Sequence, residues 1–263
     1  MKPCTVALFA LLVFLSLPAR AAYTTATVKG SYSFLLNEWT ATPGTNSASV
    51  GVLTFDGIGG VSGSFLQVTS TGPQHFDVEN GSVYSVERNG AGSMSLVTSS
   101  GTLPFAFMMA SVSGVVAQQL QLLLLNPTGA NVVTAGTAIA INLSSPGSNA
   151  NLKGTYSLLI NNWQADPSWP MIGAVGGLRF DGTSSVTFSY MQEVGGVSST
   201  QTMVGTYSVD TDGSGTMVFG TGASAVTYDF AINDVRKSIA TGVQFLNGSS
   251  NVSVVSTAVA TRQ

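Results

Sequence analysis

The residues able to do chemistry are few and scattered. His75 is the only histidine, and imidazole is the side chain most often poised for proton transfer near neutral pH. It follows Gly72-Pro73-Gln74, which reads as a loop, where a lone imidazole is expected to be solvated. Asp56 and Asp181 recur in matching Phe-Asp-Gly strings. Two carboxylates across one sugar would suit glycoside hydrolysis, but each of these precedes a turn glycine, and bonding to turn amides accounts for it. Asp77 and Glu79 are expected in solvent. Asp210-Thr211-Asp212-Gly213 resembles the opening of a calcium loop, yet the later bidentate Glu is missing and Arg88 occupies the matching region of the first half. A plain hairpin turn is the expectation there. Asp229 lies between Tyr228 and Phe230, so strand alternation sends it outward to water if the aromatics face in. Trp39 and Trp163 recur in Asn-x-Trp strings that turn geometry does not demand. A Trp at a barrel mouth either stacks on a ligand or plugs the end, and the plug is the expectation. With Tyr32 and Tyr156 they form the candidate ligand-binding set. No catalytic constellation, metal site or cofactor motif is expected.

These residues sit on a chain that reads as one unit written twice. Lys29-Gly30-Ser31-Tyr32-Ser33-Phe34 returns as Lys153-Gly154-Thr155-Tyr156-Ser157-Leu158 at an offset of 124. Phe55-Asp56-Gly57 answers Phe180-Asp181-Gly182 at 125, and Tyr84-Ser85-Val86 answers Tyr207-Ser208-Val209 at 123. Small drifts of this kind arise from loop insertions between strands that keep their register. The period is that of a domain, not of a solenoid repeat.

Each half reads as eight alternating runs divided by Gly, Asn, Asp or Pro, with no capped amphipathic helix. The runs are 30–39, 49–55, 61–69, 81–87, 92–98, 103–111, 115–125 and 132–141, then 154–163, 173–180, 185–193, 203–210, 215–219, 225–232, 238–246 and 252–260. Tight turns make consecutive strands neighbours. The expected fold is all-β: two tandem eight-stranded antiparallel up-and-down β-barrels, with a β-sandwich as the alternative. The domains are then repeat 1 over 22–143, a polar linker over 144–150, and repeat 2 over 151–263.

Gly30-x-Tyr32-x-Phe34, Phe55-Asp56-Gly57-x-Gly59 and Tyr84-x-Val86 with Gly90-x-Gly92 resemble a group of secreted tandem-repeat proteins of unknown function from environmental bacteria. Gly30-Ser31-Tyr32 and Gly154-Thr155-Tyr156 also resemble the Gly-x-Trp of lipocalin-like and avidin-like barrels, with Tyr in place of Trp. That second likeness implies a barrel able to hold a small apolar ligand.

Lys2, an apolar run from Val6 to Leu17 and Ala19-Arg20-Ala21 have the layout of a signal peptide over 1–21. The apolar run is short for a bilayer span, so no transmembrane segment is expected after cleavage and the location is secreted, periplasmic or cell-surface. Cys4, the single cysteine, would leave with that peptide, removing disulfides and thiol chemistry. Without Lys2 and Arg20, seven basic residues face 12 acidic ones, a net charge of −5, which argues against nucleic acid as a partner. Charged residues make up only 8% of the chain, against about 25% in average proteins, so Ser and Thr must carry solubility. A non-enzymatic protein acting by binding or surface association is the expectation, its partner a small apolar ligand, a glycan or a surface protein.

Overall fold

The computed structural model describes residues 22–40, 47–69, 71–125, 132–164, 172–194, 197–247 and 254–263. The expected signal peptide lies outside the described residues. The first half folds into β1 (Lys29–Thr40), β2 (Ser47–Asp56), β3 (Val61–Thr69), β4 (Gly72–Val78), β5 (Val83–Val86), β6 (Ala91–Thr98), β7 (Gly101–Ser113), β8 (Val116–Leu124) and β9 (Val132–Ala140). The second half gives β10 (Lys153–Gln164), β11 (Ile172–Asp181), β12 (Ser185–Val194), β13 (Val197–Val209), β14 (Ser214–Phe219), β15 (Val226–Arg236), β16 (Ile239–Asn247) and β17 (Val254–Arg262).

β10 to β17 close in meander order into an eight-stranded barrel, β10 pairing with β17 as well as β11. The first half is a nine-stranded sheet in the order β4-β3-β2-β1-β9-β8-β7-β6-β5. Its two edge strands are consecutive in sequence and correspond to the single strand β13, which pairs with both β12 and β14. What divides them is Glu79-Asn80-Gly81-Ser82, a turn with Gly81 at φ 95° in which the Ser82 hydroxyl donates to the Glu79 carbonyl at 2.8 Å. The drop in repeat offset from 125 to 123 places two extra residues in this segment. The edges still meet around it: Gly60 bridges to Val83, and the Glu79 amide donates to the Val97 carbonyl at 2.8 Å. The expected fourth run, 81–87, therefore captures β5 and misses β4, because Pro73, Gln74, His75 and Asp77 interrupt the apolar alternation that marks a strand.

Alternation sends Tyr32, Phe34 and Leu36 inward and Leu35 outward along β1, and Tyr156, Leu158 and Ile160 inward along β10. Inward aromatics sit beside cross-strand glycines. A Cβ on Gly92 would meet the Phe107 ring, and one on Gly215 the Phe230 ring, so these positions must stay bare for the rings to lie across the sheet.

The linker is not a free tether. The Gly147 amide donates to the Thr211 carbonyl at 2.9 Å, and the Val235 amide to that of Ile141 at 2.8 Å. Outward-facing Leu35, Ala48, Val50, Leu66 and Val68 of the first sheet form a buried cluster with Leu246 of β16. The two halves are thus docked sheet face to sheet face, burying apolar surface that isolated barrels would expose.

Candidate functional site

Three places stand out, and the sequence-expected residues divide among them. The first is the end of each half where its first strand begins. Tyr32 is fully buried and its hydroxyl donates to the Ala117 carbonyl at 2.7 Å, as that of Tyr156 does to Ala240 at 2.8 Å. Edge-to-face rings stack beside them: Tyr32, Phe55 and Tyr84 with centroids 5.4 and 4.9 Å apart, and Tyr156, Phe180 and Tyr207 at 5.5 and 4.9 Å. Below lie single 3-10 turns, Thr25–Thr27 and Asn149–Asn151, whose following carbonyls of Val28 and Leu152 accept from Tyr84 and Tyr207 at 2.7 and 3.0 Å. Burial pushes the Tyr156 and Tyr207 phenols up to about 12 and raises that of Tyr32 further. Tyr32 and Tyr156 therefore present no free ring face or hydroxyl to a ligand. They close the end of each half opposite to the one where Trp39 and Trp163 were expected to act as plugs.

At the opposite end Trp39 is 41% exposed. It shares strand parity with outward Leu35, whereas Glu38 faces inward and accepts from Thr134 at 3.1 Å, so Trp39 is not a plug within the sheet. Trp163 lies in β10 opposite Val255, and its side chain is outside the described residues. Inside this end is a cavity of about 40 Å³ lined by Leu36, Glu38, Gln67, Phe105 and Thr134 among others, roughly the volume of one water molecule.

The third place was not legible in the sequence. A cleft of about 230 Å³ opens between the halves, lined by His75, Ser64, Asp210, Ser214, Thr216 and Asp229 with apolar residues. His75 stands on β4 opposite Leu66, not in a loop, and remains exposed. Asp229 does point outward from β15, but outward here means toward the first half, and it is half-buried. Desolvation raises its carboxyl above the ordinary value, and the facing His75 opposes that rise. The hydroxyls are engaged: Ser214 donates to Asp212 at 2.7 Å, and Thr216 bonds Ser208 at 3.2 Å. Asp212 thereby caps its hairpin turn, and no metal-binding group of His, Cys, Asp or Glu occurs among the described residues. No sequence signal marks this cleft, since it depends on how the halves dock.

Asp56 and Asp181 act as expected. The Asp56 carboxylate accepts from the amides of Ile58, Gly59 and Gly60 at 2.8, 2.9 and 2.9 Å, and Asp181 from Thr183, Ser184 and Ser185 at 2.7, 2.9 and 3.0 Å. These bonds, the Ile58 and Thr183 amides foremost, hold both carboxyls below the ordinary value.

No family model matches the chain, and no curated protein matches it. A solved structure of a protein of unknown function from the DUF3598 family of Nostoc punctiforme PCC 73102 is similar at 11% identity and a TM-score of 0.26, covering 91% of this chain and 98% of its own.

Proposed function

We propose that the protein is an exported, non-catalytic surface-association module made of two duplicated β-barrels, the first closing through the Glu79–Ser82 segment. Its partner is a glycan or a protein surface met by the outer faces of the sheets. The observation that carries this is the interior of the first half: barrels that hold small molecules need several hundred Å³, against a cavity of about 40 Å³ among the described residues there. The Tyr-Phe-Tyr stacks close one end of each half. The alternative, a lipocalin-like carrier of an apolar ligand, would have to unpack Phe34, Phe65 and Phe105 to make room. An acyl-chain carrier is tested by titrating the protein with a fluorescent fatty acid. The module reading expects no saturable binding, and one tight site per chain displaced by unlabelled fatty acid would overturn it.

A further inference from the structure

The two halves offer the same outer surface to different surroundings. Leu35, Val50 and Leu66 are 6%, 2% and 2% exposed because they cover the second half. Their register partners in the second half, Leu159, Val175 and Met191, are 56%, 56% and 53% exposed. The match is fixed by pairing, Val50 to Leu66 across β2–β3 and Val175 to Met191 across β11–β12. The receiving surface is duplicated too. Leu246, fully buried under the first half, pairs with Asp229, and its counterpart Leu123 pairs with Ala106 and is 43% exposed.

One chain thus carries one internal contact and two unmatched halves of the same contact. The unmatched donor face lies on β10 to β12, bordered by Val259 of β17, and the unmatched receiver on β7 and β8. In the second barrel the donor strands and the receiver strands β15 and β16 stand on nearly opposite sides of an eight-strand ring, so using one leaves the other open. An apolar face of this kind, the copy of a used interface, would join copies head to tail, and such heterologous contacts stay open-ended unless a rotation closes them.

We propose that the protein associates with further copies of itself, the β10–β12 face of one chain docking on the β7–β8 face of the next as β1–β3 docks on β15–β16 within the chain. This rests on the surface-association reading and names a second copy as one partner. Three substitutions distinguish the new contact from its template. Glu193 stands where Val68 is fully buried, which puts a charge inside the contact and weakens it. Thr200 and Ala106 stand where His75 and Asp229 are, so the contact between chains lacks the facing His and Asp of the internal one.

Paired cysteines test this in a Cys4→Ser background. Within the chain the Gln244 amide donates to the Thr137 hydroxyl at 3.2 Å, and the matching positions between copies are Gln121 and Val259. Mixing full-length Gln121→Cys and Val259→Cys chains under mild oxidation is expected to give disulfide-linked pairs that neither chain forms alone. Leu123→Cys with Met191→Cys should behave alike, which guards against one badly oriented position. The Thr137→Cys/Gln244→Cys chain should close internally. Failure of both mixed pairs while that control closes overturns the proposal, as does equal pairing by Val259→Cys alone, which would mean a symmetric face-to-face dimer. Failure of the control removes the template and the proposal with it. None of these outcomes bears on fatty-acid binding, so the reading of the interior stands or falls separately.

Discussion

Leu35 and Leu159 occupy the same place in two copies of one strand, yet Leu35 is buried and Leu159 open to solvent. The difference comes entirely from docking, since Leu35 belongs to the cluster around Leu246. Removing equal side chains should therefore cost unequally. Leu35→Ala leaves a cavity at the interface and is expected to cost about 2–3 kcal/mol, at the lower end for buried leucines. Leu159→Ala should stay within about 0.5 kcal/mol in dilute protein, as exposed substitutions do. Chemical denaturation of both variants reads the contrast, and equal losses would contradict the docked arrangement.

The closing tyrosines give a second expectation. Tyr32→Phe and Tyr156→Phe each orphan a buried carbonyl, of Ala117 and Ala240. Each should cost about 1–2 kcal/mol, the range for a buried acceptor left without its donor. Ultraviolet titration should show Tyr156, Tyr207 and Tyr228 ionising only near 12, and ordinary titration near 10 by all seven tyrosines would contradict their burial.

Asp56 and Asp181 set the acid side of stability. Their carboxyls are held low in the fold by turn amides, so the stability they confer is present above the unfolded value of 3.8 and lost as pH falls through the lower folded value. Asp56→Ala should destabilise at pH 7, with the gap to the parent narrowing in acid. Melting curves from pH 2 to 7 check this, and a gap unchanged across that span would contradict it.

Asp229 works in the opposite sense. Its carboxyl is raised by desolvation, so the stability conferred by the protonated form is present below the unfolded value of 3.8 and lost as pH rises through the folded one. Asp229→Asn should raise the melting temperature at pH 7 and leave it nearly unchanged at pH 3. A lower melting temperature at pH 7 would mean that the His75 contact outweighs desolvation.

Much of the fold was legible because turn glycines and two-residue alternation are local signals. All sixteen expected runs fall on strands with at most changes at their ends, since Phe34, Leu53 and Phe180 alternate with polar neighbours and turn residues flank them, and only β4 has no run of its own. β4 was hidden because His75 and Asp77 face outward while Pro73 and Gln74 break the apolar rhythm. The site was far less legible. That Asp229 faces outward follows from alternation, but what it faces is set by docking of distant strands, which no local pattern encodes. Trp39 drew attention by recurring, and only counting parity along β1 from Tyr32 shows that it belongs to the outer face.

On the proposed reading the outer faces of these sheets do the binding, beginning with the chain's own copies. Sedimentation velocity over a wide range of concentration tests it most directly. The expected result is an average mass that rises with concentration without levelling at a dimer, and that returns to a single chain at the same concentrations in a Met191→Lys/Leu123→Lys variant of unchanged melting temperature. A single-chain mass at every concentration, or a plateau at two chains unaffected by Leu123→Lys, would contradict it.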